Sequence, residues 1–424
     1  MKILFLAHRT PYPPNKGDKI RSYNILLHLA EMHEVSLVYW VDDPKDQAHA
    51  PLLERMCRGA VRSVVFNPLA AWLRGLSFLC CGKSFSQGYF FSPLFQKCVD
   101  DLCKQERYDL FYIFSSPMAQ YVQPYSQVPT MMDFVDVDSE KWGEFAQFKP
   151  FPFSWLFRLE KNRLAQYEVG VSAWARWNLF VSEPEAQLFR EIRGHGNIVA
   201  VPNGVDSDLL RLPVREAELR STERGLSPQS PKPAKLIFAG TMNYFPNVDA
   251  VLYFVQEILP LIHSEFPRVT FDIVGRFPNR AVRRLHGKNG VRVMGEVRDI
   301  REHLIQADVS VAPLRISRGI QNKVLEAMAM GVPVVATPKA LEGIKVEDKE
   351  EVLTGDSPSA FAAQVVRLLR DQQLRSRVAK KARSRVVQTY SWKKTNGQLD
   401  KLIFESLQGV DQGVAAGHVP GRMH

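Results

Sequence analysis

Ala312-Pro313-Leu314-Arg315-Ile316-Ser317-Arg318-Gly319-Ile320-Gln321-Asn322-Lys323-Val324-Leu325-Glu326-Ala327-Met328-Ala329-Met330-Gly331-Val332-Pro333-Val334-Val335 packs a strand end, a charged loop, a helix and a second strand into one short stretch. Val309–Ala312 is a run of small and β-branched residues that reads as a buried strand, and Pro313 ends it. Ile320–Met330 has helical spacing, and Gly331 is the usual stop. Pro333–Ala336 then reads as the next strand. Strand, loop, helix, strand is the unit that builds a parallel sheet with helices on its faces. The loop carries Arg315, Arg318 and Gly319, and it feeds a helix N-terminus, where unpaired N–H groups and the positive end of the dipole suit a phosphate. Lys323 falls in the first turn, and Glu326 one turn on, where its carboxylate can accept from two hydroxyls of a ribose diol. By spacing alone, a surface Lys323–Glu326 salt bridge worth at most about 1 kcal/mol accounts for the pair equally well.

The same rhythm extends in both directions. Upstream, Leu236–Ala239 reads as a strand, Gly240–Asn247 as a loop, and Ala250–Leu259 as an amphipathic helix ended by Pro260, with strands at Val269–Val274 and Val291–Met294. At the start of the chain, Lys2–Ala7 reads as a strand, followed by a Pro-rich loop to Gly17. A helix follows with Asp18 at its N-cap, then a strand at Val35–Trp40. Tyr108–Phe114, Val128–Met132 and Asn178–Ser182 read as further strands of that first sheet. Between the halves lie Pro202-Asn203-Gly204-Val205-Asp206 and a Ser-, Pro- and charge-rich linker, Ser221–Lys235. The expected organisation is an α/β protein of two Rossmann-like domains facing across a cleft, residues 1–200 and 201–390. A C-terminal helix over 391–407 packs back toward the first domain, and 408–424 is a disordered tail.

Composition bounds the rest. The 424 residues are 45% apolar and 24% charged, the balance of a folded globular protein rather than a fibrous or disordered one. Fifty-five Lys and Arg against 45 Asp and Glu leave a charge of +10, which favours an anionic partner. Five cysteines, odd in number and without a C-x-x-C pair, argue against a disulfide framework or a zinc site. Leu69–Cys81 is interrupted by Arg74 and too short to span a bilayer. The expected location is cytoplasmic, with a peripheral place on the inner membrane left open.

Lys323-Val324-Leu325-Glu326-Ala327-Met328-Ala329 with Gly331-Val332-Pro333-Val334-Val335-Ala336-Thr337 resembles the donor-binding signature of family 4 retaining glycosyltransferases of the two-domain GT-B type. Further resemblances run along the chain to about residue 407. Pro13-Pro14 through Gly17 and Arg21 resembles the N-terminal glycine loop, and Val181-Ser182-Glu183 the end of the first domain. Pro202-Asn203-Gly204-Val205-Asp206 is similar to the interdomain segment and Tyr390-Ser391-Trp392 to the last helix. Gly240-Thr241-Met242-Asn243-Tyr244-Phe245-Pro246-Asn247 and Asp133-Phe134-Val135-Asp136-Val137-Asp138-Ser139 resemble the sugar transferases of exopolysaccharide and exosortase (PEP-CTERM) loci.

The resemblance implies transfer of a sugar, with retention, from a UDP- or GDP-sugar to a growing polysaccharide or polyprenyl-linked glycan. The nucleotide sugar is a substrate, and neither cofactor nor metal is expected. Glu326 matches the second glutamate of the family's pair, on the donor ribose, while the first falls at Arg318. The loop after Leu236–Ala239 lacks the basic pair many members carry. Arg315 and Lys323 are then the expected catalytic cations on the leaving diphosphate, with Asp136 toward the acceptor hydroxyl. Arg318, Gly319, Ile320, Gln321, Asn322, Gly240 and Arg276 are the expected donor contacts beside Glu326. Gly17, Asp18 and Arg21 form the expected acceptor-side glycine loop. Alternatives left open are a nucleotide-sugar epimerase of the same fold and a catalytically silent nucleotide- or glycan-binding protein.

Gly82-Lys83-Ser84 imitates a Walker ending, but the required earlier glycine falls at Ser77. Two stretches alternate aromatic and basic residues: Trp72, Arg74, Phe78, Lys83, Tyr89, Phe90, Phe91, and Phe151, Phe153, Trp155, Phe157, Arg158, Lys161, Arg163. Both suit insertion at an anionic membrane interface, with core aromatics under a basic face as the alternative. No nucleic-acid-binding module is recognised.

Overall fold

A computed structural model describes residues 1–192, 194–205 and 233–415, the last eight as backbone only. Asp206 and most of the expected Ser221–Lys235 linker lie outside the described residues, as do 416–424. The chain divides into two units, 1–202 with 395–424, and 203–394.

The first unit is a seven-stranded sheet in the order β3-β2-β1-β4-β5-β6-β7, and every described ladder is parallel. Its strands are β1 Lys2–Ala7, β2 Glu34–Val41, β3 Val61–Val65, β4 Leu110–Phe114, β5 Thr130–Val135, β6 Trp177–Phe180 and β7 Asn197–Ala200. The central strands β1, β2 and β4 are almost wholly buried, as their unbroken apolar runs require when helices cover both faces. β5 begins at Thr130 rather than Val128 because Pro129 has no N–H to give the ladder.

The second unit holds six strands in the order β10-β9-β8-β11-β12-β13, again parallel. They are β8 Lys235–Ala239, β9 Thr270–Val274, β10 Val291–Gly295, β11 Val309–Ala312, β12 Val334–Ala336 and β13 Leu353–Thr354. In each sheet the order reverses once, between β1 and β4 and between β8 and β11. Such switch points leave a crevice at the carboxyl ends of the strands.

Several expectations need correction. Helix Gly17–Met32 is preceded by Lys16 at its cap. Asp18 lies inside the first turn, with its carboxylate on the Lys19 N–H. The segment read as a loop up to Asn247 is already helical from Phe245, with Pro246 in the first turn, where its missing N–H costs nothing. Pro260 does not end that helix. A π turn at Phe254–Ile258 widens the backbone ahead of it, and the helix resumes over Leu259–His263. This continuous run, Phe245–His263, is long and apolar enough to cross a membrane, but Val251, Phe254, Ile258 and Ile262 are fully buried in the second unit, Phe254 against Phe271. The tail expected to be disordered from 408 is helical to Ala415. Leu399, Leu402 and Ile403 bury the preceding turns, and an established helix extends at little cost. Residues 395–407 belong with the first unit, where Thr395 donates to Pro202 O, Gln398 to Ala200 O, and Asp400 meets His28.

Candidate functional site

At the switch point of the second unit, β8 and β11 send their following helices apart, and Lys323 bridges the gap. It is the second residue of helix Asn322–Ala329. Its Nζ donates to Asn247 Oδ1 at 2.5 Å and sits 4.6 Å from the centroid of the Phe238 ring. Phe238 comes from β8 and Asn247 from the first turn of the helix after it, so three elements fix one ammonium. Burial pushes the Lys323 pKa down to about 7, opposed by the Glu326 carboxylate one turn on. A cation so poorly compensated is prepared to receive an anion.

The backbone around it is bare. Gly319 has φ +61 and delivers the chain to the helix N-terminus, where Gln321 at the cap offers no side-chain hydrogen bond to the first N–H groups. Gln321 Nε2 instead donates to Arg318 O. Asn322 Oδ1 accepts from Asn203 Nδ2 at 3.3 Å, which holds Asn203 at the start of this helix. At the ends of β8 and β9, Gly240 and Gly275 touch. A Cβ on Gly275 would lie 1.7 Å from Gly240 O, and one on Gly240 2.7 Å from Asn247 Nδ2. Ile320 is buried and serves the core rather than the opening.

Two expected cations are engaged elsewhere. Arg315 forms a two-point pair with Asp249 (Nε–Oδ2 3.0 Å, Nη2–Oδ1 2.5 Å) and lies over the Tyr253 ring, so its guanidinium is directed to the helix after β8 rather than to an open phosphate site. Arg276 pairs with Glu296 at 2.9 Å and stacks over Phe277. Lys323 and Glu326 are the pair that the structure keeps together at the helix start. Sequence reasoning missed Asn247 and Phe238 as the groups that hold Lys323. Asn247 was visible in the Gly240–Asn247 motif, but nothing in a linear reading joins it to residue 323.

In the first unit, Arg21 is not a loop residue facing a ligand. It is fully buried, paired with Asp133 at 2.8 Å, and it donates to Val201 O. Tyr112 also donates to Asp133. This network ties the first helix, β4, β5 and the end of β7 together, which is a structural task. Asp18 meets Arg9 (3.3 Å) and His8 (3.6 Å) at the carboxyl end of β1. Burial alone would raise its pKa, but the His8 hydrogen bond and the Arg9 charge hold the carboxyl well below the usual range. Gly17 opens the same helix beside it. Asp136 follows β5 just after Val135, whose φ of +68 turns the chain sharply out of the strand. Burial and the nearby Glu185 carboxylate push the Asp136 carboxyl up to about 7, and its Oδ1 has no partner among the described residues. Ser84 of the Walker-like tripeptide caps helix Phe85–Tyr89 and donates to Glu160, so the tripeptide serves as a helix cap rather than as a nucleotide-binding loop.

The aromatic–basic stretches split. Tyr89, Phe90 and Phe91 pack in an aromatic cluster with Phe66, Phe78 and Tyr121, and Phe157 packs on Trp142. Trp72, Phe151, Phe153 and Trp155 are exposed.

Residues 233–371 match the family model described as glycosyl transferases group 1. The matched segment contains the Lys323–Glu326 helix and every residue that holds Lys323. A phosphatidyl-myo-inositol mannosyltransferase from Mycolicibacterium smegmatis is 29% identical over 158 residues, 36% of this chain and 40% of that relative, so the match spans well under half of the relative's length. Among solved structures, sucrose-phosphate synthase from Thermosynechococcus elongatus superposes with a TM-score of 0.71 at 17% identity, covering 96% of this chain and 100% of that one. Anabaena HepE in complex with UDP-glucose superposes with a TM-score of 0.66 at 18% identity, again covering 96% and 100%. The chain therefore has the two-unit, parallel-sheet fold of GT-B proteins.

Proposed function

We propose that this protein is a glycosyltransferase that moves a sugar, with retention of configuration, from a UDP- or GDP-sugar to a growing polysaccharide or polyprenyl-linked glycan, in exopolysaccharide biosynthesis at a membrane surface. The observation that carries this reading is the Lys323 ammonium, held by Asn247 and Phe238 at an uncapped helix N-terminus and short of compensating charge. When a nucleotide sugar reacts, negative charge accumulates on the departing diphosphate, and a preorganised donor set aimed there lowers the barrier. The Lys323 ammonium and the backbone N–H groups of Asn322 and Lys323 at the start of the helix are that set. Glu326, one turn along the same helix, takes the ribose hydroxyls. The proposal assigns no metal to the diphosphate. The group 1 match over 233–371 and the nucleotide sugar named for HepE support the reading.

In the first unit, Asp136 is the residue we assign to orient or deprotonate the acceptor hydroxyl. Its raised pKa keeps a proton acceptor near neutrality. The test is incubation of the full chain with labelled UDP- and GDP-sugars and polyprenyl-linked acceptors, with product anomers read by NMR. The proposal expects acceptor-dependent release of nucleoside diphosphate, a product of the donor's anomeric configuration, and no loss with EDTA. Asp136→Asn should lower kcat and leave donor affinity unchanged. Donor conversion without acceptor would make it an epimerase, and binding without turnover a silent binding protein; Arg318, in place of the family's first glutamate, keeps that last outcome in view.

A further inference from the structure

Helix Pro68–Cys80 is built inside out. Its small residues, Ala71 and Gly75, are buried against the neighbouring helix Phe85–Tyr89, and a Cβ on Gly75 would lie 2.5 Å from the Phe85 ring. Phe78 packs inward on Phe91, and Trp72, though half exposed, meets the Phe85 ring, whereas Leu69, Leu73 and Leu76 turn outward. Leu69 (73% exposed), Trp72 (54%), Leu73 (61%) and Leu76 (38%) recur at i, i+3, i+4 and i+7, a continuous outward stripe. An isolated exposed leucine needs no explanation, but four large apolar side chains on one helix face do.

The surroundings are basic. From Arg55 to Val99 the chain holds Arg55, Arg58, Arg62, Arg74, Lys83 and Lys97 and not one Asp or Glu. Where the helix ends, at Gly82-Lys83-Ser84, a cavity of about 410 Å³ opens, lined by Lys83, Gln87, Arg163, Gln166, Tyr167 and Trp174 among others, with no carboxylate in its wall. Arg163 also caps the helix by donating to Leu79 O. Helix Phe153–Ser172 packs on the same short helix, since Glu160 accepts from Ser84 Oγ and from the Phe85 and Ser86 N–H groups. Its own start and the turn before it expose Phe148, Phe151, Phe153 and Trp155.

We infer that this face of the first unit docks on an anionic phospholipid bilayer. Helix Pro68–Cys80 lies in the interface plane with Leu69, Trp72, Leu73 and Leu76 in the acyl boundary. The acid-free cavity beside it receives a headgroup phosphate, and Phe151, Phe153 and Trp155 form a second insertion point. An amphipathic helix with an apolar stripe, flanked by cations, binds in this manner, and its affinity is set jointly by buried apolar area and surface charge. The inference extends the transferase reading to a partner. It rests on that reading only for the lipid-linked acceptor, and vesicle binding is measured separately from nucleotide binding.

The test uses the full chain in vesicle flotation with phosphatidylcholine alone and with phosphatidylcholine mixed with phosphatidylglycerol. Wild type should float with the mixed vesicles and release at high salt. Leu69→Ser with Leu73→Ser, both on the surface, should lower the partition coefficient at least tenfold while nucleotide affinity stays unchanged. Lys83→Gln should lower it about fivefold on mixed vesicles, the effect of about 1 kcal/mol for one basic residue at an anionic surface. Leu261→Ser, at an exposed leucine of the other unit, should do nothing. Equal flotation with neutral and anionic vesicles, or wild-type flotation of the double variant, overturns the proposal. So does loss of a self-associated species in the double variant, which would assign the stripe to a second copy. Vesicle binding that persists when no nucleotide binds would leave this inference standing and remove the transferase reading.

Discussion

If Lys323 is the cation that meets the diphosphate, nucleotide affinity must depend on pH in a defined way. In the free protein burial sets its pKa to about 7, so half of the molecules carry the charge at pH 7 and about one in a hundred at pH 9. A bound diphosphate beside the ammonium returns the pKa toward the ordinary lysine value of about 10.4, so the complex is protonated throughout this range. The sign follows from linkage. The bound state holds more protons than the free state, so affinity falls as pH rises above 7. Between pH 7 and pH 9 the Kd should rise about 50-fold, or about 2.3 kcal/mol. The phosphate's own second ionisation, near pH 6, is already about nine-tenths complete at pH 7 and adds little across this window. Calorimetry in buffers of different ionisation enthalpy should register uptake of about 0.5 proton per nucleotide at pH 7 and about 0.9 at pH 8. Lys323→Arg, charged at every pH in the range, should bind without pH dependence. A wild-type Kd constant within twofold from pH 7 to pH 9, with no proton uptake, would refute the reasoning and place Lys323 outside the phosphate site.

Three further outcomes follow from the same structure. Glu326→Ala should weaken nucleoside diphosphate binding by about 1.5–3 kcal/mol, the worth of hydrogen bonds to a charged group, while leaving inorganic pyrophosphate binding far less affected; equal loss for both ligands would remove it from the ribose. Arg21→Met strands the buried Asp133 carboxylate and should cost about 3–5 kcal/mol in chemical denaturation of the first unit, and a loss under 1 kcal/mol would contradict the buried pair. Gly275→Ala drives a methyl into Gly240 O and should abolish nucleotide binding or soluble expression, whereas a well-folded variant with native affinity would show that the two loops do not touch.

The fold was readable because the central strands are unbroken apolar runs. β1, β2, β8, β9 and β11 announce themselves, and the strand–helix alternation then dictates parallel sheets. Every strand missed in the sequence lies at a sheet edge: β3, where Arg62 and Ser63 are exposed on opposite faces, β7, and the two-residue β13. Half-exposed edges carry no apolar signature. Pro260 misled for a different reason, since a π turn can absorb a proline that a regular helix cannot. At the site, Lys323 and Glu326 were legible because both lie on one helix. The fates of Arg315, Arg276 and Arg21 were not, because Asp249, Glu296 and Asp133 claim them across loops that a linear reading cannot fold. The sequence singled out Trp72, Arg74 and Phe78 of helix Pro68–Cys80 for a membrane interface but not its leucines, because only the buried Ala71 and Gly75 reveal which side faces out.

The most direct test of the central claim is calorimetric titration of the full chain with UDP, GDP, ADP and CMP, with and without magnesium, in wild type and Lys323→Ala. The account predicts that UDP or GDP alone binds, that magnesium leaves its affinity unchanged, and that the heat disappears in Lys323→Ala. Absence of binding by every nucleotide, or equal binding by Lys323→Ala, would contradict it.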